Sequence, residues 1–461
     1  MAEVKCISPV DGRVLALRAT ASGGEIDAAL TRARAAQSKW AATSTAERTG
    51  AVLRFLDALK AMNDEIVPEL AWSMGRPVRY GGEMRGVEER TRYMAEIAEE
   101  ALAPIVPPDK PGFRRMIKRE PLGLILVIAP WNYPYMTAIN SIVPGLIAGN
   151  AVILKHAAQT ILIGERFQKA ADAAGLPHGV FQHLILSHED IARILASGAV
   201  DHANFTGSVS AGRQIECAAA GTFTSLGLEL GGKDPAYVRA DADLDFAVEN
   251  LVDGAFFNSG QSCCGIERIY VHERLYGAFL DGFITLTNKY VLGDPLSEET
   301  SLGPMAHVRF AELVRQHTAE AIAKCARAHI DAGAFPSNAP GTPYLAPQVL
   351  SGVDHSMRVM MEESFGPVVG IMKVSGDEEA LALVNDSPYG LTASLWTKDA
   401  EAAEQLAARI ETGTVFMNRC DYLDPALAWT GVKDTGRGAS LSPIGYHTLT
   451  RPKSFHLRHT T

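Results

Sequence analysis

The sequence has no excess of positive charge: 43 Lys and Arg stand against 53 Asp and Glu, a formal net charge of -10. No basic stripe is available to displace counterions from a phosphate backbone, so nucleic acid is excluded as a general partner. Cysteine is scarce and unpatterned. The six, at positions 6, 217, 263, 264, 325 and 420, form no CxxC pair and no dense disulfide framework. The opening residues MAEVKCISPVDGRV lack the apolar core of a signal peptide, so a reducing cytoplasm is the expected compartment. The 13 histidines show neither HxxxH nor HExxH spacing, so no metal site is expected. The GxGxxG fingerprint of dinucleotide-binding folds is missing, as are internal repeats and low-complexity tracts. One stretch, Pro121 to Leu154, carries no charge at all. A membrane helix needs roughly 20 uninterrupted apolar residues. Pro130, Asn132, Pro134, Pro144, Gly145, Gly149 and Asn150 break this run repeatedly, so it reads as buried core and no membrane partner is expected.

What is present is an ordinary soluble composition, 47% hydrophobic and 21% charged, in a chain too long for one core. The first hundred residues read as helical, with helices near Ile26–Trp40 and Thr45–Asn63. Phe113 to Arg119 alternates apolar and charged residues like a half-exposed strand. Strand candidates then alternate with helices: Leu124–Ile128, Ala151–Leu154, Phe181–Leu186 and His202–Thr206 are separated by helical stretches at Tyr135–Ala148, Thr160–Ala174 and Asp190–Ala196. Later strands are expected at Ala236–Val238, Arg268–Val271, Pro367–Val374, Ala393–Thr397 and Thr414–Met417. This grammar predicts parallel βαβ units and a doubly wound α/β sheet, with ligands beyond the carboxyl ends of the strands. The tail, Lys453 to Arg458, alternates again and could pair with the strand near residue 115, within the subunit or across an interface.

Two segments carry candidate chemistry. In Phe256-Phe-Asn-Ser-Gly-Gln-Ser-Cys263-Cys264 a helix ends and a loop turns before the next strand. A loop cysteine with thiolate character is a nucleophile, whereas two buried thiols are inert filling; the pair alone fits either. In Leu228-Glu229-Leu230-Gly231-Gly232-Lys233 a lone carboxylate stands between leucines. Burial would raise its pKa and suit it to general-base work, although a surface Glu at a strand end reads the same way.

Together these two motifs resemble the cysteine and glutamate signatures of the aldehyde dehydrogenase superfamily. Further matches follow in the family's order: Pro130-Trp131-Asn132-Tyr133-Pro134, Lys155, Phe205-Thr206-Gly207-Ser208, Glu363-Ser-Phe365-Gly-Pro367, Asn385, Tyr389-Gly-Leu391 and Gly431-Val-Lys433. Each is weak alone, but in this order and spacing, over nearly the whole chain, they are specific. The resemblance implies oxidation of an aldehyde to its carboxylic acid with NAD(P)+. Cys263 matches the nucleophile that forms a thiohemiacetal and then a thioester, Asn132 the oxyanion donor, and Glu229 the base that activates water. Lys155 matches a contact to the adenosine ribose, and Gly207 and Ser208 a helix start that meets the pyrophosphate. Glu363 matches a carboxylate on the nicotinamide ribose and Phe365 a ring beside the nicotinamide. Pro130, Trp131, Leu230 and Gly231 fall at further cofactor positions. Tyr133, Asn140, Ser262, Cys264, Tyr422 and Trp429 match substrate-channel positions; an aromatic wall with few charges suggests an apolar or aromatic aldehyde. Arg419 nearby could receive a substrate carboxylate, although a surface role suits it better.

The resemblance also implies a variant Rossmann dinucleotide-binding domain over 1–105 and 122–231 and an α/β catalytic domain over 232–440. A small β oligomerisation element, 106–121 with 441–461, would support a homodimer or homotetramer. Two departures stand out. Ala158 replaces the glutamate that often accepts from the ribose hydroxyls, so NAD use with NADP tolerated is expected. Ala428-Trp429-Thr430-Gly431 replaces the usual Pro-Phe-Gly-Gly. Three other readings compete: a CoA-acylating relative, disfavoured because such enzymes lack the base glutamate; a non-catalytic binding or structural member; and a cofactor-free thiol hydrolase.

Overall fold

The computed structural model describes residues 2–459. Two sheets organise it. The first has six strands in the order Gly436–Arg437, Ser225–Glu229, His202–Thr206, Leu124–Ile128, Ala151–Lys155, Phe181–His183. All neighbours are parallel except the Gly436–Arg437 edge, which runs antiparallel to Ser225–Glu229. The second has seven, in the order Arg327–Ala328, Gln348–Ser351, Val368–Val374, Ile266–His272, Asp234–Val238, Thr392–Trp396, Thr414–Met417, again parallel apart from its first edge strand. This is the α/β architecture that alternation of strand and helix predicts.

The reason is visible in the central strands. All five residues of Leu124–Ile128 are buried, because helices cover both faces of a parallel sheet. On one face lie Ile125 and Val127 with Phe55, Ile142 and Phe167. On the other lie Leu124, Leu126 and Ile128 with Ile26, Ile194 and Leu195. The charge-free segment is therefore strand, turn, 14-residue helix Pro134–Ile147 and strand, all inside this core. No helix among the described residues is long and apolar enough to cross a membrane.

Several boundaries differ from expectation for local reasons. The first hundred residues are not wholly helical: Glu3–Ile7 and Val14–Ala19 form an antiparallel hairpin around the Pro-Val-Asp-Gly turn. The helix placed at Asp190 begins at His188, because Ser187 and Asp190 form a capping box that serves its first turn. The strand begun at Phe181 stops at His183. The helix Val308–Ala323 had no counterpart in the sequence reading. The tail strand, Thr450–Arg458, pairs antiparallel with Phe113–Pro121 of the same chain over its full length.

Leu126 is fully buried in the middle of the first sheet. Leu126→Ala is expected to lower stability by about 2–5 kcal/mol, since the lost packing leaves a cavity that neighbours only partly fill. Urea unfolding measures this; an unchanged midpoint would contradict the packing described.

Candidate active site

The first sheet aims the carboxyl ends of four parallel strands at one region. Pro130 and Trp131 follow Leu124–Ile128, Lys155 ends Ala151–Lys155, Gly207 and Ser208 follow His202–Thr206, and Leu230 and Gly231 follow Ser225–Glu229. Ser208 caps the helix Val209–Ala219 by accepting from the Ala211 N–H at 3.3 Å. Opposite stand Glu363 and Phe365, on the turn before Val368–Val374, where the Phe365 ring meets the Trp131 ring edge-on at 5.6 Å. Phe365 has φ 51°, and the carboxylate of Glu267 receives the N–H groups of both Ser364 and Phe365, at 2.8 and 2.9 Å. Lys233 pairs with that same carboxylate.

These residues fit a dinucleotide. A Cβ on Gly231 would lie 2.3 Å from the Glu363 carboxylate, which would have to move to admit it. Burial lowers Lys155 to about 8 and raises Glu363 to about 8. Among the described residues no carboxylate lies within ion-pair reach of Lys155. In both groups burial is the leading cause of the change, so each would gain from the hydroxyls of a ribose. No group of three His, Cys, Asp or Glu suited to a metal occurs among the described residues.

The cysteine loop sits between the sheets. Helix Leu244–Phe256 ends, and Asn258, Ser259 and Gly260 all take positive φ (52°, 57° and 70°) before the turn that carries Cys263. Backbone of this kind persists only when side chains over-determine it. Here Ser259 donates to the Gly303 carbonyl at 2.9 Å, and Gln261 donates to the Asn258 carbonyl while accepting from Ala306 N–H. Gly260 lies so near the Gly366 carbonyl that a Cβ would come within 2.4 Å of its oxygen.

Asn132 is buried, and its side-chain amide donates to the Gln261 carbonyl at 3.2 Å, two residues ahead of Cys263. Its own carbonyl accepts from Arg76 at 2.6 Å and from the Asn258 amide at 3.3 Å. Arg76 is itself buried and paired with Glu83 at 2.5 Å; the second oxygen of Glu83 caps the helix Pro134–Ile147 by accepting from Tyr135 and Met136 N–H.

A cavity of about 450 Å³ gathers most of the remaining residues: Glu229, Cys263, Ser262, Cys264, Tyr133, Asn140, Tyr422, Trp429 and Leu230 all line it. Glu229 accepts from Ser440 at 2.7 Å and Thr206 at 3.2 Å; burial raises its carboxyl, and these two hydroxyls oppose that rise. The vicinal thiols differ. Cys264 is buried and donates to Asp421 at 3.0 Å, and its contact with Cys263, followed by burial, raises its pKa well above the ordinary thiol value. Cys263 is only half-buried.

The sequence reading missed several groups on this wall. Arg85, Glu89, Arg90 and Asp421 reach the cavity, as does Arg419, for which a surface role was expected, so the lining holds more charge than the aromatic motif suggested. Arg419 is exposed and stacks on Tyr422 at 3.4 Å, and the Tyr422 hydroxyl donates to Glu89 at 2.6 Å. A signal for Arg90 did exist: it falls among Val87, Thr91, Met94 and Ala98 on the inward stripe of helix Met84–Ala101. Nothing in the sequence pattern marked Asp421, which adopts φ 47° on a loop.

A two-sheet α/β chain with cofactor-shaped strand ends facing a cysteine, a carboxylate and an amide defines a dehydrogenase that works through a thiol. The sequence profile of the aldehyde dehydrogenase family matches residues 1–455, and the chain belongs to that family. It is 34% identical to an aldehyde dehydrogenase of Paenarthrobacter nicotinovorans, over 98% of this chain and 99% of that protein. It is 33% identical to the succinate semialdehyde dehydrogenase [NAD(P)+] Sad of Escherichia coli, over 96% and 95%. Its fold matches the succinic semialdehyde dehydrogenase of Streptococcus pyogenes, solved with NADP+, with a TM-score of 0.93 at 26% identity, covering 99% of this chain and 100% of that one. The protein is accordingly an NAD(P)+-dependent oxidoreductase that converts an aldehyde to its carboxylic acid.

The Arg76–Glu83 pair is the buried support of this site. Arg76→Met is expected to lower stability by about 3–5 kcal/mol, because Glu83 is left as an uncompensated buried charge. Thermal unfolding measures it, and an unchanged Tm would refute the assigned role.

Proposed function

We propose that Cys263 is the nucleophile, that Asn132 and the Cys263 backbone N–H hold the oxyanion, and that Glu229 is the base for hydrolysis. The observation that carries this is that Cys263 and Glu229 line one cavity whose neighbouring loop residue, Gln261, is held by the Asn132 amide. The Cys263 sulfur adds to the aldehyde carbon, and the two N–H donors take up the negative charge on oxygen. Lys155, Gly207, Ser208, Glu363 and Phe365, with Pro130, Trp131, Leu230 and Gly231, would hold NAD(P)+, which would supply the hydride acceptor for the substrate carbon. The carbon is then a thioester on Cys263. Glu229 takes a proton from water, the water oxygen attacks the thioester carbon, and the C–S bond breaks to return the thiolate and release the acid. Its raised pKa, with Ser440 and Thr206 aligning the carboxylate, supports the base role over that of a surface glutamate. The presence of that base favours water over CoA as acyl acceptor.

The substrate body is an apolar or aromatic aldehyde, supported by Tyr133, Phe257, Trp429 and Met136 on the cavity wall. Cofactor use is dual with a lean to NAD. Ala158 is exposed three residues beyond Lys155 and offers no carboxylate to repel a 2′-phosphate. The E. coli relative, named for NAD(P)+, and the S. pyogenes structure with NADP+ support tolerance of both. The chain divides into a dinucleotide-binding unit, 1–105 and 122–231, a catalytic unit, 232–440, and a bridging element, 106–121 with 441–461. The half-exposed ribbon Phe113–Pro121 with Thr450–Arg458, and the exposed Ile105, Val106 and Leu457 beside it, suit a homodimer or homotetramer interface. A reducing, cytoplasmic setting suits six free thiols.

Cys263→Ala is expected to abolish aldehyde oxidation while leaving cofactor binding nearly intact, and Glu229→Gln to leave a burst of reduced cofactor followed by a steady state slowed by about 10²-fold or more. Absorbance at 340 nm follows both. Retained turnover in the first, or an unchanged steady state in the second, would remove that residue from its role. For the cofactor, kcat/KM with NADP+ is expected within about tenfold of that with NAD+, the span of a single weak contact. A strong preference for NADP+ would overturn the NAD lean.

A further inference from the structure

The two hydrogen-bond partners of the Glu229 carboxylate differ in how they are held. Thr206 is its register partner on the neighbouring strand of the same sheet, so the Thr206 hydroxyl travels with the base. Ser440 comes from a loop beyond that strand and donates to the other carboxylate oxygen at 2.7 Å. Ser440 is buried, and its hydroxyl makes no other hydrogen bond among the described residues.

The loop that carries Ser440 is fixed on both sides. Trp429 and Ser440 exchange both backbone hydrogen bonds, at 2.8 and 2.9 Å, as an isolated antiparallel bridge. The Thr430 hydroxyl adds a second link, to the Gly438 carbonyl at 2.6 Å, and the Thr448 hydroxyl donates to the Ala439 carbonyl at 3.1 Å. The next residue, Leu441, has φ 61° and ψ 177°, a region that glycine alone enters freely, and Ser442 has φ 52°. Backbone of this kind collects at functional sites and needs surroundings that over-determine it. Here the Leu441 side chain is fully buried and the Ser442 N–H donates to the Pro425 carbonyl at 2.9 Å.

The other half of the bridge is a wall of the cavity. Trp429 is 5% exposed and lines the same space as Cys263 and Glu229. A wall residue and the residue that aims the carboxylate are therefore paired one to one, and two hydrogen bonds leave little slack between them.

We propose that Ser440 is a positioning residue for Glu229, and that its pairing with Trp429 makes hydrolysis of the thioester, and not only binding, sensitive to the body of the acyl group. This rests on the base role assigned to Glu229 and adds selectivity in the second half of the reaction. An acyl group that fits beside Trp429 leaves the bridge and the carboxylate in place. One that displaces the ring turns the base off the line of the attacking water.

Hydroxyl donation favours the ionised carboxylate, so loss of the Ser440 hydroxyl moves the acid limb of hydrolysis to higher pH. The other titratable groups on this cavity are Arg85, Glu89 and Arg90 of helix Met84–Ala101, Arg419, Asp421 and Tyr422 beyond strand Thr414–Met417, Tyr133, and the thiols of Cys263 and Cys264. Arg90 favours the charged form as Ser440 does. On the edge strand beside Glu229, Arg437 is taken up by Glu216 at 2.9 Å. All of these remain in Ser440→Ala, so a moved profile reports the lost hydroxyl.

The test separates the two half-reactions. Acid quench during turnover, followed by intact mass, gives the fraction of enzyme carrying the acyl group. The steady-state rate at 340 nm divided by that fraction is the hydrolysis rate constant. In Ser440→Ala, first-turnover hydride transfer is expected at the wild-type rate. Hydrolysis is expected to slow by about tenfold or more, the range of a hydrogen bond to a charged group, with its acid limb at higher pH. Ser440→Thr should recover most of the loss. With propanal and benzaldehyde, Trp429→Phe is expected to change the ratio of the two hydrolysis rate constants in the wild-type background and to leave it unchanged in Ser440→Ala. An unmoved rate and pH profile in Ser440→Ala would overturn the positioning role. A ratio unmoved by Trp429→Phe, or moved equally in both backgrounds, would overturn the coupling; the first of these needs no Ser440 variant to fold. Glu229→Gln in the same assay keeps the two readings apart. If it accumulates no acyl-enzyme, the base role itself fails; if it does and Ser440→Ala does not, the base stands and only the positioning role falls.

Discussion

The site depends on one buried guanidinium. Arg76 reaches Glu83, the Asn132 carbonyl and the Asn258 side chain at once, and its guanidinium carbon lies 4.8 Å from the centre of the Tyr133 ring. Through these contacts it ties the start of one helix, the cap of a second, the proposed oxyanion donor and the kinked loop before the proposed nucleophile. A charge placed so deep is tolerated because every partner is a good acceptor, and the helix N-terminus shares Glu83 with it. The result is positional: the Asn132 backbone cannot shift without breaking an ion pair that burial makes expensive to break.

A second constraint joins the two sheets. The Glu229 strand belongs to the first and the Asp234–Val238 strand to the second, and only four residues separate them. In that link Gly232 approaches the Cys263 carbonyl so closely that a Cβ would come within 2.6 Å of it, while its N–H donates to Glu363 at 3.1 Å. The segment after the proposed base thus touches both the cysteine loop and the cofactor face. Thr435 secures it from the other side, accepting from Leu230 N–H through its carbonyl and donating to the Gly231 carbonyl through its hydroxyl. Substitution by any larger residue at 232 would have to part this link from the cysteine loop.

The sheet strands were legible because parallel strands buried on both faces write themselves as short apolar runs, as Leu124–Ile128 and Ala151–Leu154 do. Motif order put forward the cysteine, glutamate and asparagine now proposed for the chemistry, and several of the residues that line the cavity. What stayed hidden depends on contacts distant in sequence. The exposed hairpin at residues 3–19 has little apolar alternation to mark it. Arg76 and Glu83 look like surface charges until the fold buries them together. Asp421 is a loop carboxylate with no periodic neighbour, placed by backbone of positive φ. Arg90 is the intermediate case: its place on an apolar stripe was readable, but the partners across the cavity were not.

The vicinal cysteines show why sequence alone left two readings open. Adjacent residues in a turn project to different sides, so one pair of identical side chains meets two environments. Cys264 turns into the wall, where Asp421 accepts its proton and burial disfavours the thiolate, so it remains a protonated thiol at neutral pH. Cys263 stays half-exposed on the cavity. The inert reading suits Cys264, and the reactive reading is the one proposed for Cys263. The Ser262–Asp421–Cys264 cluster makes the difference durable, because the carboxylate that holds Cys264 as a donor also fixes the turn on which Cys263 stands. An acid outside the proposed chemistry thereby sets the two sulfurs apart.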